Sequence, residues 1–175
     1  MKIELLAITQ NAERLIERAG RICYASEDKI TEASHEGFIQ SLIERGHESV
    51  FEHASATFRI EGISRTCSHQ LVRHRLVSYS QQSQRYVAEN NFECVRPSSV
   101  GVSEEAIKAY QHATAVCRSA YKMLVDDGVP KEDARFVLPQ AITTELVMTA
   151  NFREWRHILE LRCSRHAQWE IRDLC

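Results

Sequence analysis

Apolar and polar residues follow two rhythms along this chain, and each rhythm predicts an element. At the start, Ile3 and Leu5 alternate with Lys2 and Glu4, the two-residue period of a strand. Asn11 is placed to cap a helix carrying Leu15, Ile16, Ala19, Ile22 and Cys23 on one side. Thr31 is placed to cap a second helix, with Phe38, Ile39, Leu42 and Ile43 inward and Gly46 at the C′ position. Ala54, Ala56, Phe58 and Ile60 then alternate with Ser55, Thr57 and Arg59, the clearest half-buried strand in the sequence.

Beyond this strand the spacing predicts a helix from about Ile63 to Arg75, an irregular polar stretch over 78–85 and a short strand over 92–95. Ser103 opens the longest helix, with Ala106, Tyr110, Ala113, Cys117, Ala120 and Leu124 as its inner stripe. Gly128 ends it, Pro130 suits the first position of a short helix, and Pro139 stops that one. Thr144 to Ala150 reads as a strand, and Asn151 followed three residues later by Glu154 resembles a capping box that starts the last helix. Residues 167–175 read as helix without a cap. No glycine-rich turn follows any strand, which argues against a Rossmann or P-loop nucleotide site. The expectation is an α+β fold, a mostly antiparallel sheet with packed helices, in a single domain over 1–175.

Composition narrows the class. The chain has 175 residues, 43% hydrophobic and 26% charged, which is ordinary for a globular protein. A formal charge of -2 gives no global reason to bind nucleic acid or an anionic membrane. No apolar run approaches the roughly 20 residues of a membrane span, and no signal peptide is evident, so a cytoplasmic protein is expected. Six cysteines are scattered without a C-x-x-C pair, and free thiols are expected rather than a disulfide framework or a zinc site.

The informative residues are polar ones that interrupt apolar faces. In the last helix Trp155, Ile158 and Leu159 form a stripe that helical spacing extends to Arg162 and His166. A guanidinium there is either a structural ion-pair partner, an arginine reaching the edge, or a functional group. In the helix from Ile63, Gln70 and His74 share the face of Ile63, Cys67 and Leu71. The run Arg73-His74-Arg75, then Ser78, Gln81, Gln82, Ser83, Gln84, Arg85 and Tyr86, is dense in hydrogen-bond donors. Arginine forks bind phosphate bidentately and hydroxyls complete such a cradle, so this run points to a phosphorylated small molecule, against the plain alternative of a solvated charged turn. His47-Glu48 with Glu52-His53 matches no known zinc spacing. An RNA-binding role for 73–86 and a nucleotide-sensing module without catalysis stand as alternatives.

Arg73-His74-Arg75, seven residues, then Ser83 is similar to the signature of flavin-dependent thymidylate synthases. Three further segments agree in order: Gly46-His47-Glu48-Ser49 with Phe51-Glu52-His53; Ala134-Arg135 with Val137-Leu138-Pro139; and Asn151-Phe152-Arg153 through Arg162 to His166-Ala167. The resemblance implies conversion of dUMP to dTMP with FAD as cofactor, NADPH and 5,10-methylenetetrahydrofolate as co-substrates, and no cysteine nucleophile. It also implies homotetramers with sites built between subunits; no metal, nucleic acid or membrane partner is expected. For FAD it points to Ser49, Arg73, His74, Arg75, Gln81, Asn151, Phe152, Arg153 and His157. For dUMP it points to Gln70, Leu71, Val72, Arg73, Gln81, Gln82, Ser83, Gln84, Arg85, Arg135 and Arg162. Arg162 is implied as the catalytic group, contacting the uracil ring and favouring its ionised form. Many members have Glu where Gln81 stands, and relatives usually continue into a further helical tail.

Overall fold

The computed structural model describes every residue from Met1 to Cys175. Strands β1 (Lys2–Ile8), β2 (Ser55–Ser64), β3 (Ser78–Gln81) and β4 (Thr143–Asn151) form one antiparallel sheet in the order β1-β2-β4-β3. The alternation seen in the sequence holds in β4, where Thr144, Leu146, Met148 and Ala150 are buried and the residues between them are half-buried. Across β2 and β4 the hydroxyls of Thr57 and Thr149 meet at 2.9 Å. With helices interspersed among the strands, the class is α+β, as the sequence pattern predicts.

The chain divides into two compact units. One comprises Met1–Lys2, Ile60–Arg73 and Ser80–Leu146, the other Ile3–Arg59, His74–Tyr79 and Val147–Cys175.

The first unit carries helices α3 (Arg65–Leu71), α4 (Glu104–Asp126) and α5 (Lys131–Ala134). Ser64 starts α3 by accepting a hydrogen bond from the Cys67 N–H at 3.0 Å, and Ser103 does the same for α4 from Ala106 at 3.1 Å. Gly128, with φ +87°, ends α4 in the left-handed region that favours glycine. Tyr121 is the fully buried anchor of α4, and its hydroxyl accepts from the Glu89 N–H at 3.2 Å.

The second unit carries α1 (Ala12–Ile22), α2 (Ser34–Glu44), α6 (Phe152–Arg162) and α7 (Trp169–Leu174). Ile16, Leu42, Val50, Phe51 and Ala54 form its core, flanked by Phe38, Ile39, Ile43 and Phe152. Gly20 permits the close approach of α1 and α2, because a Cβ there would lie 2.7 Å from Phe38 Cε1. Asn151 caps α6 by accepting from the Glu154 N–H at 2.9 Å. Trp155 locks the same helix to β2, donating to the Ala56 carbonyl at 3.2 Å with its ring edge-on to Phe58.

Several expectations are corrected. Asn11 sits before α1 with φ 50° and its side chain caps nothing, because the left-handed backbone turns it away from the helix N–H groups. Ile22 and Cys23 are exposed, and Glu17 is buried instead, satisfied by Arg21 at 2.8 Å and by the Ser34 hydroxyl at 2.9 Å. Thr31 does not cap α2, which starts three residues later; its N–H donates to Ser34 Oγ at 2.8 Å. Helix α3 ends at Leu71, so His74 lies beyond it and not on its face. The stretch 78–85 is not wholly irregular, since 78–81 pairs as the edge strand β3, where polar side chains are tolerated because much of it faces solvent. Residues 92–95 make only an isolated bridge, Cys94 to Ile142. Ala113 is exposed on α4, and Pro130 precedes the first residue of α5 instead of occupying it. Helix α6 stops at Arg162, which leaves His166 exposed and off its stripe, and Leu159 is exposed as well. Residues 169–174 form a capped helix, with the Gln168 side chain accepting from Glu170 and Ile171.

Candidate active site

In the second unit, α6 gathers ionisable groups around one buried imidazole. His74 and Glu154 are 5% and 6% exposed, values that require partners for both. The Arg162 Nε–H donates to His74 Nε2 at 2.9 Å, and His74 Nδ1 faces Glu154 Oε1 at 3.5 Å. The His157 ring stands edge-on to His74 at 5.9 Å between centroids. Burial, then the adjacent Arg162, hold the His74 pKa below its ordinary value, against the pull of Glu154. Tyr79 on β3 is pushed up to about 12 by burial and then by Glu154, so its phenol stays neutral. Arg162 is therefore neither stranded on an apolar stripe nor tied to a carboxylate alone. A neutral histidine holds it.

A cavity of about 490 Å³ opens beside this cluster, lined by Glu48, Glu52, Leu76, Asn151, Arg153, Glu154 and His157. A second, of about 420 Å³, is lined by Gly46, His47, Ser49 and Arg153 among others. Arg153 pairs with Glu52 and approaches Glu48 at 3.8 Å, while Arg156 reaches Glu48 at 3.7 Å. The carboxylates of Glu48 and Glu52 thus serve arginines. No group of three or more His, Cys, Asp or Glu side chains is gathered to hold a metal. Phe152 is half-buried against the core, so its side chain frames the turn.

In the first unit, a cavity of about 410 Å³ is lined by Arg65, His69, Gln84 and Arg135 with Phe136, Leu138, Pro139, Gln140 and Ile142. Arg65 is held below its usual pKa by burial and by the nearby Arg135. Arg135 donates from Nε to the Glu132 carbonyl at 3.0 Å, and Arg85 forms an exposed pair with the Glu132 carboxylate at 2.7 Å. Arg73 is exposed, Gln70 half-buried, Val72 exposed and Leu71 wholly buried. Gln81 turns inward, its Nε2 donating to Ser68 Oγ at 3.0 Å and Thr144 Oγ1 at 3.1 Å. The Gln82 N–H is taken by the Glu145 carbonyl at 3.0 Å, and Ser83 begins a turn in which its hydroxyl accepts from the Arg85 N–H at 3.3 Å. Back in the second unit, Arg75 is exposed directly after the buried His74.

Sequence reading passed over Glu154, Tyr79 and Arg65. Glu154 is legible only as half of a cap, and Tyr79 lies in a stretch whose pattern predicts no element. The spacing Glu154, Ile158, Arg162 was the available signal, since steps of four keep one helix face.

Buried ionisable groups held in register, beside open cavities lined by arginine, are the equipment of an enzyme for small anionic compounds. Comparison with known proteins narrows this class. The family model described as thymidylate synthase complementing protein matches residues 4–175. A flavin-dependent thymidylate synthase of Geobacter sulfurreducens is 50% identical over 182 residues, covering 99% of this chain and 78% of that protein. Enzymes of the same name from Pyrococcus furiosus and Mycobacteroides abscessus are 41% and 44% identical, covering 99% and 91% of this chain and 75% and 71% of theirs. The chain belongs to the flavin-dependent thymidylate synthase family and is an enzyme of it.

Proposed function

We propose that this chain methylates dUMP to dTMP with FAD, NADPH and 5,10-methylenetetrahydrofolate, and that Arg162 faces the uracil ring. The observation that carries this reading is the Arg162–His74 hydrogen bond of 2.9 Å, which fixes a guanidinium at the end of α6 in a half-buried position. A cation already oriented in a poorly solvated place stabilises negative charge developing on a bound ring.

The residues present fit a flavin dinucleotide. In the second unit Ser49, Asn151, Arg153 and His157 line the two cavities, and Arg75 is exposed, so donors face open space where an anionic, hydrogen-bonding group can lie. Arg153, held by Glu52 and Glu48, would supply the cation for a diphosphate. Arg73 and Gln81, of the first unit, also belong to the flavin set in this reading, as do the buried His74 and the half-buried Phe152. When bound, the flavin supplies the reducing equivalent. For dUMP, Arg135 and Gln84 share the arginine-lined cavity of the first unit and Arg85 is exposed, which suits a phosphate. Gln70, Leu71, Val72, Gln82 and Ser83 are the remaining substrate contacts in this reading.

Exposed apolar side chains support the proposed homotetramer with sites shared between subunits. Ile3, Leu5, Leu6 and Ile8 are each about half exposed along β1, and Phe136 is 83% exposed. Six free thiols suit a reducing cytoplasm.

The test is a visible spectrum on FAD addition, then dTMP formation with every co-substrate supplied, on protein whose mass in solution is measured. Folded protein that takes up no FAD at micromolar levels would sink the reading.

A further inference from the structure

The Arg162 Nε–H can only donate, so the His74 Nε2 that it meets at 2.9 Å carries no proton. A neutral imidazole has one proton, and here it resides on Nδ1, which faces Glu154 at 3.5 Å. His74 and Glu154 are both buried, so protein groups and not bulk water settle which nitrogen is protonated. Moving the proton to Nε2 would set a donor against the guanidinium N–H and a bare nitrogen against a carboxylate, two mismatches in one step. Glu154 and Arg162 stand two helical turns apart on one face of α6, about 12 Å along the axis, with the buried Ile158 between them. His74 bridges them from outside the helix.

We propose that Glu154 is a positioning residue for the reaction: it holds the His74 proton on Nδ1, and the bare Nε2 then aims the Arg162 guanidinium. This rests on the reading of Arg162 as the group that faces the uracil ring. The Asn151 side chain caps the Glu154 N–H at 2.9 Å, so one helix start both nucleates α6 and sets the carboxylate. The other titratable neighbours do not replace it. Tyr79 stays a neutral phenol, and His157 meets the His74 ring edge-on.

The test uses Glu154→Gln in the full chain. A carboxamide keeps the size but can present an N–H to Nδ1, so the bias between tautomers is lost. Nitrogen-15 NMR of His74 is expected to show the Nδ1–H tautomer in the parent and a mixture, or the Nε2–H form, in the variant. At saturating dUMP and FAD, kcat is expected to fall about tenfold, as for other residues that orient a functional group through a neighbour, with Tm near the parent's. In an Arg162→Ala background the same substitution should change kcat no further. Should Glu154→Gln fold poorly, Glu154→Asp keeps the charge while lengthening the gap, and the tautomer bias should weaken in step with kcat. A parent His74 protonated on Nε2, or a variant with unchanged tautomer or unchanged kcat, overturns the proposal. If Arg162→Ala alone retains turnover, the reading of Arg162 fails instead, and the NMR arm still shows whether Glu154 sets the tautomer.

Discussion

The Arg162 Nε–H donates to His74 Nε2 across 2.9 Å, and this pairing exists only while the imidazole is neutral. Protonation would remove the acceptor and place one cation against another. The half-buried arginine and the buried histidine are therefore one device, whose behaviour depends on pH and on both partners.

The first prediction follows from the sign of the His74 shift. Burial, then Arg162, with His157 in the same direction, lower its folded pKa against the pull of Glu154. The unfolded chain thus takes up the proton first as pH falls below about 6.5. The stability that His74 contributes is fully present above that value and is lost as pH falls from there through the folded pKa. In His74→Gln an amide oxygen can accept from Arg162 and an amide N–H can face Glu154, without titrating. Unfolding free energies by urea at pH 7.5 and 5.5 should drop more for the parent than for this variant. Equal drops would show that His74 is not the sensitive group.

Arg162→Ala separates structure from function. The side chain is half-buried, so removing it is expected to lower Tm by a few degrees at most, through the unpaired His74 acceptor. Turnover should fall on the order of a hundredfold or more, the size seen when an oriented donor is removed from a developing charge. Comparing melting curves with dTMP formation decides between the roles. A large stability loss with turnover preserved would make Arg162 a structural partner.

The sequence made the sheet strands β2 and β4 and the start of α4 readable because alternation and a serine cap are local signals. It pointed at Arg162 because a guanidinium among Trp155, Ile158 and Leu159 breaks a stripe. It misplaced His74 and His166 because both helices stop short, and a helix end set by tertiary burial leaves no periodic trace. The exposure of Ile22, Cys23 and β1 was equally hidden: an apolar stripe says that a face is to be covered, not which surface covers it. Glu154 was visible as a cap, yet its carboxylate serves a residue eighty positions earlier in the chain.

Gln81 gives a prediction about stability. Its amide nitrogen donates to the buried hydroxyls of Ser68 and Thr144 at 3.0 and 3.1 Å. Gln81→Ala leaves both without that donor and should lower the unfolding free energy by about 1–3 kcal/mol. Urea denaturation of the protein without ligands measures this. No change would mean that the glutamine is held only when a ligand is bound.

The last prediction is that no thiolate attacks the pyrimidine. A nucleophilic cysteine must lose its proton, which takes a neighbouring base or cation and access to the substrate. Cys67 is wholly buried on α3, Cys117 is half-buried, and burial pushes the Cys94 thiol up. Cys175 is exposed by surface area, yet desolvation by the groups packed around it, then its neighbour Cys163, push its thiol up to about 11. Of the three exposed thiols, Cys23 and Cys163 are left. Cys23 lines a cavity with His47 and Ser49, but its Sγ is turned back on its own helix, donating to the Ala19 carbonyl at 3.7 Å. Cys163 follows Arg162 at the C-terminal end of α6, a helix end that favours cations and disfavours an anion. Successive helical residues also point about 100° apart, which turns it away from the direction Arg162 takes. Cys23→Ser and Cys163→Ser, made singly and together, should each keep most of the dTMP formation. A serine variant that folds and binds dUMP yet makes no dTMP would restore thiolate attack as the chemistry of this chain.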